Sequence, residues 1–371
     1  MKKKKLVFIW NNFLIGGTEQ VLLEILKNLD RDRFEASIIT ILGSGQMESE
    51  FRKLGFPIFL AGSKRYSSSL LFKVIWILST PFILLRLIVF LRKIKPDVII
   101  TSLYQSDILG YWASFGLDTK LISIQHDVIR INLIIAWLKM RALRRTTNAI
   151  AISNNVKEFL INYFKVPNSK IEVIYNGIDF DKFLSYQKLD KDWEPVFGTV
   201  ARLDKIKGHI YILKALKKLK DDGIKLPVFI FVGNGPEREN LEHFTENNGL
   251  SNVRFVGEVL DIGQYLKQMD VFVLPSLSEG LGIAIVEALV AKKLIIASSV
   301  DGIKELIKHN KTGILVKPTN IDDLYEAIRL VLENKEEAIK LRNASFGWIN
   351  KNRRLFDIRD ISKKYSEYLC Q

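Results

Sequence analysis

The chain has 371 residues, enough for two domains of about 150 residues, each able to bury its own core. Hydrophobic residues are 48% and charged residues 26%, with only 22 Gly and 9 Pro, which excludes a disordered or fibrous chain. The formal charge of +14 is concentrated at the front: residues 1–180 carry 25 basic and 14 acidic side chains (+11), the remainder 30 and 27 (+3). Such a field attracts polyanions, among them nucleic acid, nucleotide phosphates and an anionic membrane face. The one cysteine, Cys370, excludes an intrachain disulfide and a cysteine-based zinc site and fits a reducing compartment, by default the cytosol.

Lys2–Lys5 followed by Leu6–Trp10 has the charge order of a signal peptide, but its apolar run stops after five residues at Asn11. A secretory core needs roughly 7–15, so the segment is read as a buried parallel strand. Gly16-Gly17-Thr18-Glu19 then leads into a helix over Gln20–Leu29. Further strands are predicted at Ala36–Leu42, Pro57–Leu60, Asp97–Thr101 and Leu121–Gln125, the alternation of a doubly wound α/β domain. The pattern restarts with strands at Pro195–Ala201, Val228–Val232, Val253–Val256, Val271–Pro275 and Leu294–Ser298. Helices are predicted near 208–220, 236–248, 283–292 and 321–333, and the join is placed in the polar stretch around 178–194. Trp348–Leu369 reads as a closing helix.

Two segments of the first half are greasier than a soluble domain needs. Leu70–Leu91 is interrupted by Lys73, Pro81 and Arg86, so its longest charge-free run, Val74–Leu85, is 12 residues, short of the roughly 18 that span a bilayer. Strands on either side of it should share one sheet, which also opposes a crossing. The expectation is a helix in the membrane interface or buried in the fold. Val128–Arg145 sets Arg130, Lys139, Arg141, Arg144 and Arg145 among Ile, Leu, Trp and Met. At about 100° per residue the four arginines share an arc with Ile134 and Trp137, a mixture that suits a lipid headgroup boundary.

In open α/β sheets ligands collect at the carboxyl ends of strands. After the strand ending at Ala201 come Arg202 and Lys207, two cations beside a helix start, where free amides also favour anions: the makings of a diphosphate clamp. After the strand ending at Pro275 comes Ser276-Leu-Ser-Glu-Gly-Leu-Gly282, in which Gly280, Leu281 and Gly282 form a loop with room for close backbone approach. Glu279 precedes the next helix and Glu287 lies two turns on; carboxylates so spaced suit a sugar hydroxyl and a ribose diol respectively. Ser298-Ser299-Val-Asp-Gly302 ends another strand with small polar groups.

Taken in order and spacing, these residues resemble the retaining glycosyltransferases of family 4, over nearly the whole chain. Gly16-Gly17-Thr18-Glu19 is similar to that family's glycine-rich loop, Tyr175–Asp179 to its interdomain segment, and Arg202 with Lys207 to its diphosphate-binding pair. Glu279 and Glu287 resemble its paired-glutamate motif, and Asp301–Glu305 through Thr312–Val316 its closing signature. The resemblance implies a GT-B fold: two Rossmann-like doubly wound α/β domains facing a cleft. Residues 1–180 would bind the acceptor, with a crossover helix 350–371 packing back on them, and residues 181–349 would bind the nucleotide sugar.

It further implies transfer of a sugar from a nucleoside diphosphate, a UDP-sugar in the first instance, to an acceptor hydroxyl with retained configuration. His126 would contact the donor sugar from the acceptor side, and Gly16, Gly17, Gly280, Leu281 and Gly282 would help hold the donor. Front-face attack is the implied course, with no covalent nucleophile. No cofactor and no metal are expected. Asp-x-Asp pairs occur at Asp30/Asp32, Asp179/Asp181 and Asp190/Asp192, but none follows a convincing apolar strand. The basic first domain points to a lipid-linked or glycolipid acceptor at an anionic, cytosolic membrane face, with Arg130, Arg141, Arg144 and Arg145 at the contact. Three rival readings are a sugar-nucleotide epimerase of the same fold; a nucleic-acid-binding protein, opposed by the lack of a basic-aromatic stripe or recognised motif; and a non-catalytic membrane scaffold, opposed by the presence of Arg202, Lys207, Glu279 and Glu287.

Overall fold

The computed structural model describes residues 2–62, 70–187 and 194–370, and their side chains except those of 70–74 and 76. Two compact units result, Met1–Gly177 with Ile358–Gln371, and Ile178–Asp357.

In the first unit β1 (Lys4–Trp10), α1 (Gly17–Lys27), β2 (Phe34–Thr40), α2 (Glu48–Lys53), β3 (Ile58–Leu60) and α3 (Leu70–Ile94) lead to β4 (Val98–Ser102). Then come α4 (Leu103–Ala113), β5 (Lys120–Gln125), α5 (Leu133–Arg145), β6 (Asn148–Ala151), α6 (Asn154–Asn162) and β7 (Ile171–Val173). The strands form one parallel sheet in the order β3-β2-β1-β4-β5-β6-β7. Its centre is continuously apolar, Leu6 to Trp10 being buried at every position, as helices on both faces require. The chain leaves β1 toward β2 and returns to β4, so a topological switch point, the usual place for a ligand, lies between β1 and β4.

The second unit repeats the plan. It holds α7 (Phe180–Leu184), β8 (Phe197–Val200), α8 (His209–Asp221), β9 (Phe229–Val232), α9 (Arg238–Asn247), β10 (Val253–Gly257) and α10 (Gly263–Leu266). These are followed by β11 (Val271–Leu274), α11 (Ile283–Val290), β12 (Leu294–Ser298), α12 (Asp301–Lys304), β13 (Ile314–Val316), α13 (Ile321–Glu333) and α14 (Lys335–Lys351). The parallel order β10-β9-β8-β11-β12-β13 puts the switch point between β8 and β11. The last helix, α15 (Ile358–Cys370), returns to the first unit and packs against α1.

Some expectations need correction. The closing helix read over Trp348–Leu369 is two helices, α14 and α15, separated at Asn352–Asp357. Residues 350–357, read with that helix, belong to the second unit: Ile178 donates its N–H to Phe356 O at 2.8 Å, and Arg353 bridges Asp181 at 2.7 Å and Asp357 at 2.8 Å. Within 128–145 the helix starts only at Leu133, with Asn132 capping the Ile134 N–H, so Arg130 lies in the preceding loop. Lys139 is no surface cation at all; it is 4% exposed.

Helix α3 is buried along one face and exposed along another. Ile83, Leu87 and Leu91 are buried against Val7, Ile9 and Ile99. Ile75, Leu78, Phe82, Leu85 and Val89 are exposed. At 100° per residue these five occupy an arc of about 80°, on the side away from the buried three. In α5, Lys139, Ala142 and Leu143 face inward, while Ile134, Trp137, Arg141, Arg144 and Arg145 are exposed, with the Arg141 guanidinium 5.8 Å from the Trp137 ring. No helix among the described residues is long and apolar enough to cross a membrane.

Candidate active site

In the second unit the loops that leave β8 and β11 meet at the switch point. Gly208 has φ +69, and a Cβ there would stand 2.2 Å from Pro275 O, so only glycine lets the start of α8 touch the end of β11. The Leu277 N–H donates to Ile206 O at 2.7 Å, locking the two loops together. This contact carries Lys207 to Glu279: Nζ lies 2.7 Å from Oε1, and the Ser276 hydroxyl donates to the same oxygen at 2.8 Å. One ammonium hydrogen is thus committed and the other two remain for an anion.

Arg202 does not join this pair. Its side chain is 67% exposed and its Nε stands 3.9 Å from Asp204, a loose surface contact. The expected two-cation clamp is therefore unequal, with Lys207 built in and Arg202 at the rim. Glu287 lies further along α11, partly buried, its carboxyl pushed up to about 8 by loss of solvent, with the Lys182 charge from α7 opposing the shift. Its electrostatic partner is Lys182 rather than Arg202 or Lys207.

Two glycines unmarked in the sequence, Gly233 and Gly235, and Gly302 of the Ser298–Gly302 loop complete this end of the sheet. A Cβ on Gly233 would meet Ala201 O at 2.1 Å, and one on Gly235 would meet Leu203 O at 2.3 Å, so the loop after β9 is pressed onto the Arg202 loop backbone to backbone. A Cβ on Gly302 would meet Glu279 O at 2.4 Å and Gly280 O at 2.6 Å, fixing the loop after β12 beneath the glutamate loop. Gly282, at φ +86, caps α11. The signal was present as Gly-Asn-Gly directly after an apolar strand. His209, first in α8, is buried with neither ring nitrogen bonded, and burial, with Lys207 beside it, holds it neutral at about 3.

The first unit gathers polar groups of another kind at its own switch point. Trp10 ends β1, Asn11 follows, and Gly16 in extended backbone caps α1, with Gly17 its first residue. Glu19, in the first turn of α1, is 8% exposed, and burial raises its carboxyl to about 7. His126 follows β5, its ring edge-on to Trp10 with centroids 6.2 Å apart. Among the described residues, Asn11 Oδ1 and both His126 nitrogens are buried without a hydrogen-bond partner, while the Trp10 indole faces the Glu19 carboxyl. Burial, and secondarily the charge of Lys139, hold the imidazole neutral at about 3. Buried polar atoms are almost always bonded, so a group of open ones marks a place for a ligand's polar atoms. Leu103, at φ +69 directly after β4, adds a strained backbone at the same strand ends.

The Asp-x-Asp pairs have structural work. Asp30 accepts the Asp32 and Arg33 N–H groups of a turn; Asp179 caps α7 through the Lys182 N–H, and Asp181 binds Arg353. Asp190 and Asp192 lie outside the described residues.

The sequence profile described as "Glycosyl transferases group 1" matches residues 181–348, and that described as "Glycosyltransferase Family 4" matches residues 15–182. The chain is 31% identical over 281 residues to an Escherichia coli protein named UDP-Gal:alpha-D-GlcNAc-diphosphoundecaprenol alpha-1,3-galactosyltransferase, covering 70% of this chain and 72% of that one. It is 27% identical over 348 residues, 91% of this chain and 92% of the other, to a Campylobacter jejuni protein. That protein is named as an alpha-1,4-N-acetyl-D-galactosaminyltransferase acting on GalNAc-alpha-(1->4)-GalNAc-alpha-(1->3)-diNAcBac-PP-undecaprenol. Among solved structures, Anabaena Alr3699/HepE in complex with UDP-glucose superposes with a TM-score of 0.83 over 99% of each chain at 21% identity, a likeness of fold.

Proposed function

The chain belongs to glycosyltransferase family 4 and has the parallel-sheet units of a GT-B fold; from that premise we propose that it moves a sugar from a UDP-sugar to a hydroxyl of a lipid-linked saccharide. Retention of anomeric configuration, independence of divalent metal, and action at the cytosolic face of a membrane are parts of the same proposal. The observation that carries the donor half is Lys207 paired with Glu279 at the β8/β11 switch point.

In this reading the diphosphate takes the two open hydrogens of Lys207 and draws in Arg202 from the rim. Their charge offsets the negative charge that builds on the β-phosphate as the sugar's C1–O bond breaks, an effect of several kcal/mol in a dry site. Glu279, oriented by Ser276, accepts a sugar hydroxyl, and Glu287 accepts from the ribose diol. The acceptor oxygen bonds to C1 on the face the diphosphate leaves, and its proton passes to the departing phosphate oxygen. His126, neutral and with open nitrogens, can donate from one and accept at the other toward a ligand hydroxyl at the first unit's strand ends.

The acceptor half is supported by the outward faces of α3 and α5. The α3 stripe is apolar, and α5 sets arginines beside Ile134 and Trp137, a pairing suited to acyl chains under lipid phosphate. Relatives named for undecaprenol-linked substrates agree with it. The test is UDP release from a panel of UDP-sugars, with and without detergent-solubilised N-acetylglucosaminyl-diphospho-undecaprenol, run in EDTA and with product anomers assigned by NMR. Acceptor-dependent release of UDP with an α-linked product from an α-linked donor is expected. Turnover restricted to another nucleotide, or dependent on added metal, would contradict the corresponding part.

A further inference from the structure

Under α5 lies a buried charge pair that the transfer chemistry leaves unused. Asp107, on α4, is fully enclosed and collects the hydroxyl of Thr101 at 2.7 Å, the amide of Gln125 at 2.8 Å and the hydroxyl of Ser123. The Lys139 ammonium, reaching in from α5, stands 3.8 Å from the same carboxylate and 5.0 Å from the Phe164 ring centre. Burial raises the Asp107 carboxyl, and Lys139 with the three donors opposes that rise.

Stability alone does not account for the pair. Removing two charges from water costs several kcal/mol per ion, and well-packed apolar side chains in such a place are often as stable. The surroundings offer that alternative, since Leu109, Ala113, Leu121 and Ala142 are all buried in this unit's core. What the pair does have is position. Thr101 belongs to β4, Ser123 and Gln125 to β5, and the residue after Gln125 is His126. Among the described residues no protein group hydrogen-bonds the His126 ring, so its aim depends on the Trp10 edge and on the strand end at Gln125 that precedes it. Asp107 ties the side chains of Thr101, Ser123 and Gln125 together at those strand ends, and Lys139 fastens the group to α5.

We propose that Asp107 and Lys139 are a positioning pair for His126, joining α5 and the ends of β4 and β5 into one block beneath the imidazole. The inference rests on the reading that His126 serves the transfer. It also makes α5 two-faced in function, with arginines and Trp137 outward and a fastening to the His126 strand end inward.

The experiment is a double-mutant cycle with Lys139→Met and His126→Ala, read as kcat and KM with the most active UDP-sugar of the panel and the undecaprenyl acceptor. Lys139→Met is preferred because methionine matches the lysine stem and the remaining Asp107 can take up a proton, whereas losing Asp107 would strand a buried ammonium. Lys139→Met should lower kcat about tenfold or more with donor KM within about twofold, and the loss should vanish in the His126→Ala background. Lys139→Arg should restore most of the rate. If Lys139→Met does not fold, Lys139→Met with Asp107→Asn, which buries no unpaired charge, takes its place in the cycle. Losses that multiply in the double variant, an unchanged kcat, or no recovery with arginine would overturn the positioning role while leaving a catalytic His126 intact. Full activity of His126→Ala would remove the reading on which it stands.

Discussion

At the strand ends of the second unit the polar groups are charged and already engaged, Lys207 with Glu279 and Arg202 with Asp204. At those of the first unit neutral, open groups stand above the buried Asp107–Lys139 pair: the side-chain carbonyl of Asn11 and both nitrogens of His126, without a hydrogen-bond partner among the described residues. Each suits what it is proposed to hold. A diphosphate brings fixed negative charge and repays a site that keeps cations in place, with Glu279 holding Lys207 until the anion arrives. Sugar and acceptor hydroxyls bring dipoles, and a neutral imidazole can both donate and accept, which an imidazolium cannot.

The difference can be broken most sharply at Lys207. Lys207→Ala should cut turnover by about two to three orders of magnitude while the thermal midpoint moves by only a few degrees, because the change removes a partly exposed loop ion pair and no core packing. Arg202→Ala should cost about tenfold, in keeping with its exposed, loosely paired guanidinium; equal losses for the two would restore the symmetric clamp expected from sequence.

A middle-sized effect is expected from pH. Burial places the Glu287 carboxyl at about 8, so at neutral pH it is mostly protonated and a ribose diol that donates to the ionised form must displace a proton. UDP affinity should therefore rise by up to about tenfold between pH 7 and pH 9 and level off above the carboxyl's own value. Glu287→Gln should bind more weakly at pH 9 with that rise absent. A rise that persists in the glutamine variant would assign it to another group.

The smallest effect belongs to the outward face of α5. Sedimentation with anionic vesicles should weaken by about fivefold for each of Arg141→Gln, Arg144→Gln and Arg145→Gln taken singly, on the order of 1 kcal/mol per basic residue near the surface, and the difference should fade in neutral vesicles. Unchanged binding to anionic vesicles would remove the charge contribution and leave the α3 stripe alone.

Long apolar strands were legible because a buried parallel strand needs nothing but continuous hydrophobicity: Leu6–Trp10, Val271–Pro275 and Leu294–Ser298 all fall on strands. The short strands β6, β7 and β13 were not read as strands, each having only three or four residues in which to show a pattern. The break at Asn352–Asp357 escaped because it contains neither Gly nor Pro; the Arg353 pairs with Asp181 and Asp357 hold it, and those are tertiary. The burial of Lys139 was not legible, since its partner, Asp107, is remote in sequence and its helix face depends on where α5 begins. Lys207 and Glu279 were legible from strand-end logic, but their unequal footing with Arg202 was not, because it depends on Gly208 letting one backbone touch another.

The central claim is that a nucleoside diphosphate sits on Lys207 at the β8/β11 switch point. Calorimetric titration of UDP into the parent protein and into Lys207→Ala tests it without an acceptor or a sugar. The account predicts saturable binding by the parent and affinity at least about tenfold weaker in the variant; equal affinity in the two, or no binding by a folded parent, would contradict it.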